Sequence, residues 1–289
     1  MRLTLSHETH YRYARPVSIS HQLLRLTPRN LARQQVLSHA IRVTPEPAST
    51  TTRHDSFGNE LTEIFIQDYH DELIITADAS VEIGPLPEIL FDLSPAWEQV
   101  ARDLTCPTHD GAWDAAAYGY PSPQIQLEGA RAFAEAVFTP GKPLLRVAMD
   151  LAEKIYTEFD YQGGVTDVHT PVPNVLAARQ GVCQDFAHVA IACLRTHGLP
   201  ARYVSGYLLT NAEPNVTSLI GADASHAWYS VWCPEFGWVD FDPTNNLIPN
   251  QKHITLGWGR DYGDISPTTG FIHGGGTQQL EVAVKVNVS

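Results

Sequence analysis

The chain has 289 residues, 43% of them hydrophobic and 18% charged, a composition that excludes a disordered protein and is long enough for two domains whose core needs no disulfide staples. Its 19 basic and 32 acidic residues give a net charge of −13, which argues against nucleic acid or an anionic membrane as partner, since both attract a basic surface. The opening MRLTLSHETHYRYARP lacks the apolar stretch of a secretory signal, and no apolar run approaches the roughly 20 residues needed to cross a bilayer. Cys106, Cys183, Cys193 and Cys233 form no CxxC pair, so reduced thiols in the cytoplasm are the expectation. The sequons at Asn215 and Asn287 are then chance matches.

Alternation and turn placement predict β-structure over residues 1–85. Leu3, Leu5, Thr9, Tyr11 and Tyr13 mark a first run, His21 to Leu26 a second and Val36 to Val43 a third. The turn residues Asp55 to Asn59 lead into Glu60 to Ile66, and Leu73 to Ile83 follows. Gly84-Pro85-Leu86-Pro87 breaks the pattern, and residues 86–140 are expected to form a linker and helical segment. Leu144, Ala148, Leu151 and Ile155 then describe an amphipathic helix, and Phe186, Val189, Ala190, Cys193 and Leu194 a second. His197-Gly198 and Pro200 stop that second helix. Tyr203 to Leu209, Ala227 to Trp232 and Trp238 to Phe241 predict consecutive antiparallel strands, the last two joined through Pro234 to Gly237. Helices followed by strands make residues 141–289 an α+β domain. Irregular loops are expected over 257–276, before a last strand from Leu280 to Val288.

Cys183 opens the second helix. The N–H groups of a first helical turn have no intrahelical partner and, with the helix dipole, favour a thiolate there. Those N–H groups also suit an oxyanion, with the Cys183 backbone and Gln184 as candidate donors. A buried cysteine is more often a small hydrophobe, and Cys193, on the apolar stripe, is read that way. Thirteen histidines compete as base. His188 is five helical residues away, turned about 140° from the thiol. His226 stands at the head of an aromatic strand that can aim it. Asp242 follows the partner strand and would lie near His226, whereas Asp240 shares its face about 7 Å further off.

Three blocks resemble the bacterial transglutaminase-like superfamily of cysteine protease-like proteins. They are residues 179–188 (RQGVCQDFAH), residues 198–207 (GLPARYVSGY), and Ser225-His226-Ala227-Trp228 continuing through 237–244 (GWVDFDPT). The first 85 residues resemble the β-rich region that precedes this domain in many bacterial members. The resemblance implies a papain-like α+β fold and a Cys183–His226–Asp242 triad that forms a thioester acyl-enzyme on a peptide or protein amide. Hydrolysis, transfer of the acyl group to an amine, and a non-catalytic scaffold are the three functional readings. Tyr207 and Trp228 are candidate substrate contacts. The sequence lacks a D-x-D-x-D-G loop, an HExxH helix and a phosphate loop, so neither metal nor cofactor is expected.

Overall fold

In the computed structural model, residues 1–108, 110–210, 219–221 and 225–289 are described. The first sheet is built on β1 (Arg2–Leu24), with β2 (Gln34–Thr44), β3 (Ser49–His54), β4 (Glu60–Ile66) and β5 (His70–Ile83) in the order β2-β5-β1-β4-β3. The two runs expected on either side of Pro16 are one strand. Its register shifts between Arg12 and Val17, a bulge that accommodates the proline. Strand β3 was not expected, because STTTRH is exposed throughout and carries no alternation.

Helices α1 (Trp97–Asp103), α2 (Asp110–Ala116), α3 (Ala130–Ala134) and α4 (Leu144–Glu158) follow the linker. Next come β6 (Asp160–Tyr161), α5 (Val172–Ala178), β7 (Gln180–Gly181) and α6 (Cys183–Arg195). The second sheet is formed by β8 (Ala201–Leu208), β9 (His226–Cys233), β10 (Gly237–Phe241) and β11 (His253–Gly259), ordered β10-β9-β8-β11. Its Ala227, Tyr229 and Val231 share a core with Phe186, Val189 and Ala190 of α6 and with Leu151 and Ile155 of α4, so the helices cover one face.

The C-terminal segment departs from expectation. Residues 257–276 are not irregular: they hold the end of β11, α7 (Tyr262–Ile265) and β12 (Thr268–Gly274). Both β12 and β13 (Gln278–Val288) pair with β1, so residues 268–288 join the first sheet and not the α+β domain expected over 141–289. The physical reason is that β1 is long enough to take a partner along each half of both edges. Val284 and Val286 of β13 then bury against Leu3, Leu5, Tyr207 and Ile254, a core that joins the two sheets.

That junction also closes the free edge of β11. The Gln34 side-chain amide donates to the Thr255 carbonyl at 2.7 Å and accepts from its N–H at 2.8 Å. Asn59 does the same for Trp258, donating at 2.8 Å and accepting at 3.0 Å. Two primary amides thus stand in for a neighbouring strand. Gln34→Ala leaves the Thr255 N–H unpaired and its carbonyl with the Arg29 N–H at 3.3 Å, and is expected to lower unfolding free energy by about 2 kcal/mol. Urea denaturation measures this, and an unchanged midpoint would show that water replaces the amide without loss.

Candidate active site

Helix α6 begins where β7 delivers Gly181. The Asp185 carboxylate turns back to accept the Val182 N–H at 2.8 Å and the Thr166 hydroxyl at 2.7 Å, capping the helix start. A Cβ on Gly181 would stand 2.6 Å from Asp185 Oδ2, so the glycine makes room for the cap. Cys183 is thereby fixed in the first turn, 8% exposed.

His226 opens β9, and β10 runs back beside it through the pairs Trp238↔Trp232 and Phe241↔Tyr229. That register brings Asp242 to the His226 end, while Asp240 lies opposite Ser230. His226 Nε2 donates to Asp242 Oδ2 at 2.9 Å, and both side chains are fully buried. Nδ1 is buried with no closed hydrogen bond among the described residues, and Cys183 is close enough to act on the ring electrostatically. Burial opposes the imidazolium, but Asp242 and then Cys183 outweigh it and raise the His226 pKa from 6.5 to about 10. Burial likewise opposes the Asp242 carboxylate, yet His226 and the hydrogen bonds around it hold its pKa well below the usual carboxylate range.

Four further groups complete the arrangement. His253, on β11, donates Nε2–H to the same Asp242 Oδ2 at 3.2 Å. Its Nδ1 accepts the Asn250 N–H at 3.3 Å, which fixes the tautomer, and burial lowers its pKa so that it stays neutral. Asn245 gives Oδ2 a third hydrogen bond at 2.8 Å, and the Thr244 and Asn245 N–H groups bind Oδ1 at 2.9 and 3.2 Å. Asn245 also grips Ile220 by its N–H at 2.8 Å and its carbonyl at 3.2 Å, holding the 219–221 stretch beside the imidazole. There Gly221 has φ +86°, and a Cβ on it would lie 2.8 Å from His226 Nδ1 and 3.4 Å from the Tyr161 hydroxyl.

Other residues singled out in the sequence lie elsewhere. His188 accepts the Tyr262 N–H at 3.2 Å, is buried neutral, and makes no bond to Asp242. The Gln184 amide donates to the Val168 carbonyl at 3.1 Å, which commits its side chain. Tyr207 is not open to a substrate: fully buried between the sheets, its hydroxyl meets His7 Nδ1 at 2.9 Å. Trp228 is also fully buried, its ring 5.6 Å from His253 and 6.1 Å from His226. Each is on a strand whose two faces are both covered, a context that a local aromatic pattern does not reveal. Cys193 packs in the core with its thiol on the Ala130 carbonyl, and burial pushes the Cys233 thiol up to about 12. Cys106 is exposed, and all four cysteines are unpaired. Asp223, Ala224 and the sequon at 215–217 fall outside the described residues. Among the described residues no cluster of three metal-ligating side chains occurs, and no helix is long and apolar enough to cross a membrane.

A cysteine at a helix start, with a histidine–carboxylate pair on the antiparallel sheet beside it, defines a transglutaminase-like core. Residues 131–243 match the transglutaminase-like superfamily and residues 3–82 the bacterial transglutaminase-like N-terminal region. An uncharacterized protein of Mycobacterium tuberculosis is 42% identical over 279 residues, covering 94% of this chain and 88% of its own length. One of Mycobacterium leprae is 32% identical over 289 residues, 99% of this chain and 98% of its own. A protein-glutamine gamma-glutamyltransferase of Pseudomonas aeruginosa is 39% identical over 75 residues, 25% of this chain and 11% of that protein. A candidate cysteine protease from Cytophaga hutchinsonii has the same fold, with a TM-score of 0.77 at 21% identity over 99% of this chain and 90% of that one. The chain belongs to the transglutaminase-like superfamily.

Gly221→Ala combines a strained φ with a methyl against the imidazole. It is expected to slow alkylation of Cys183 at neutral pH by about tenfold, because the ring is pushed off its position beside the thiol. Mass-spectrometric timing of iodoacetamide labelling measures this, and wild-type kinetics would mean that residue 221 does not constrain His226.

Proposed function

We propose that this protein is a cysteine-dependent amide hydrolase acting on peptides or proteins, with Cys183 as nucleophile, His226 as acid–base and Asp242 as its orienter. The observation that carries this reading is the His226 ring itself: one nitrogen is bound to a buried carboxylate, and its charge state is coupled to a thiol at a helix start.

The chemistry follows from those positions. The Cys183 thiolate attacks the amide carbonyl, and the charge that moves to oxygen is met by backbone N–H groups of the first turn of α6, Cys183 among them. The carbon–nitrogen bond breaks as the His226 imidazolium gives its proton to the departing amine. A thioester on Cys183 remains. Water, deprotonated by the now neutral His226, adds to that thioester and releases the acid and the thiol. Asp242 keeps its charge throughout and stabilises the imidazolium.

Transfer of the acyl group to an amine is the second reading, favoured by the 75-residue match to the Pseudomonas glutamyltransferase. It differs only in the nucleophile that meets the thioester. A reducing compartment such as the cytoplasm suits four unpaired thiols, one of them the nucleophile.

Iodoacetamide labelling of the full chain is expected to favour Cys183 over Cys106, Cys193 and Cys233. Equal, slow labelling of all four thiols would falsify the nucleophile and favour a scaffold. Peptide and glutamine-amide substrates, assayed with and without cadaverine, then separate the free acid from the amine conjugate, and Cys183→Ala is expected to abolish both. Because the acid is an imidazolium with a pKa of about 10, amide cleavage should fall as pH rises through that value. Asp242→Asn removes the charge that raises this pKa, so the alkaline limb should move down, with a loss of about 10³- to 10⁴-fold in rate. An unmoved limb would mean that another group is the acid.

A further inference from the structure

The face of the β8–β11 sheet that carries His226 and Asp242 also carries a second polar cluster. Arg202, Ser230 and Asp240 are neighbours across β8, β9 and β10. Arg202 is 8% exposed, and its guanidinium is held between two indoles, 3.8 Å from the ring centre of Trp258 and 4.4 Å from that of Trp238. Arg29 lies 3.7 Å from the Trp258 ring centre, which two cations can share only from opposite faces. With both of its own faces covered, Arg202 can form hydrogen bonds only in its plane, where Nε is buried without a protein partner. Ser230 Oγ is fully buried and also unpartnered. Arg33, from the loop before β2, gives one nitrogen to the Pro249 carbonyl at 3.3 Å and leaves Nη1 buried and unpaired.

Arg33 and Arg202 border a cavity of about 470 Å³ between the 84–89 linker, residues 31–34 and the sheet. Burial presses the Arg202 pKa down to about 10, so it remains a cation at neutral pH. Asp240 lines the same cavity with Glu235 and Glu88, and its charge reaches both arginines. Yet no ion pair within 4.0 Å joins either arginine to an acid among the described residues. The rest of the wall is largely apolar, with Ile89, Phe236 and Ile248. Two arginines, separated carboxylates and an apolar wall lining one cavity are complementary to a molecule that brings its own anion, cation and hydrocarbon.

We propose that this cavity is a binding site for a small apolar α-amino acid, separate from Cys183 and His226. The carboxylate lies in the plane of the Arg202 guanidinium with Arg33 beside it, the ammonium turns toward Asp240, and the side chain packs on Ile89 and Phe236. His253 lines the cavity and also holds Asp242, so the occupant borders the imidazole that supports the catalytic pair. Only this last link rests on the proposed hydrolase reading.

Calorimetric titration of the full-length Cys183→Ala protein tests the site independently of turnover. L-leucine is expected to bind saturably, with 4-methylpentanoate and 3-methylbutylamine, which each lack one charge, at least about tenfold weaker. Arg33→Gln and Asp240→Asn, both away from the catalytic groups, should each weaken leucine by about tenfold or more while the unliganded melting temperature stays within a few degrees. The proposal is overturned by the absence of saturable binding up to about 20 mM leucine, a level at which even millimolar affinity is visible. It is equally overturned by equal affinity for 4-methylpentanoate, or by unchanged leucine binding in both variants. A leucine-binding protein without amidase activity would sink the hydrolase reading and leave this site standing.

Discussion

The Asp242 carboxylate is the constraint around which this site is organised. It is fully buried, and an ion of that kind persists away from water only where its lone pairs are filled. Five donors meet it: two imidazoles, one side-chain amide and two backbone N–H groups. A carboxylate has about four lone-pair sites, so the shell is more than full and leaves the group no reason to take a proton. The donors are not equivalent. His253 is locked as a neutral donor by the Asn250 N–H, whereas the second nitrogen of His226 is left free of any closed bond among the described residues. The two imidazoles on Asp242 therefore differ: His253 has its outer nitrogen engaged and His226 does not. A buried ion pair of this kind contributes little net stability, and its value lies in fixing which group changes charge.

The thiol is positioned by a second buried carboxylate with a different task. Asp185 is nearly inaccessible, and burial raises its pKa while the Val182 N–H and the Thr166 hydroxyl offset part of that cost. Its effect is geometric. By capping the first turn it satisfies the Val182 N–H at the start of the helix that carries Cys183. Gly181 is required here for space and not for a special φ, because Asp185 occupies the position a Cβ would take. Two carboxylates thus divide the work: Asp242 sets the charge of the imidazole, and Asp185 sets the direction of the helix that presents the sulfur.

Much of this was legible in the sequence because it is local. The apolar stripe of α6, the stop at Gly198 and the β9–β10 hairpin are short-range patterns; the hairpin brings residues 226 and 242 together, and the resemblance to the transglutaminase-like superfamily adds Cys183. The preference for Asp242 over Asp240 follows from register alone. What escaped depends on contacts distant in the chain. His253 sits on β11, whose alternating His253, Thr255 and Gly257 give way to glycines that resemble a loop; its edge is completed by Gln34 and Asn59, some two hundred residues earlier. Tyr207 and Trp228 look like cleft aromatics only if one face of their strands is taken to be open. The register places them on opposite faces, Trp228 across from Val204 and Tyr207 on the face of Ser205, and both faces are covered; nothing near either residue in the chain says so. The pairing of β12 and β13 with β1 is equally distant in the chain, and so 257–276 reads as irregular loops from the sequence.

The N-terminal region therefore contributes more than a neighbouring domain would. It closes the edge of β11 with two side-chain amides, and β11 carries the imidazole that holds Asp242. It also buries the interface through Val284, Val286 and Leu3, where a polar chain runs from the Tyr207 hydroxyl to His7 Nδ1 and from His7 Nε2 to Thr9. Burial keeps His7 neutral, with its pKa lowered to about 4, so this link is formed from uncharged groups at neutral pH. An isolated core spanning residues 131–243 would lack β11 altogether. It would retain the cysteine, the histidine and the aspartate but lose the neutral donor that saturates the carboxylate. The donors on Asp242 all come from residues 226–253, but the strand that carries one of them is completed by the N-terminal region, which gives a physical reason for the β-rich region and the transglutaminase-like core to occur together.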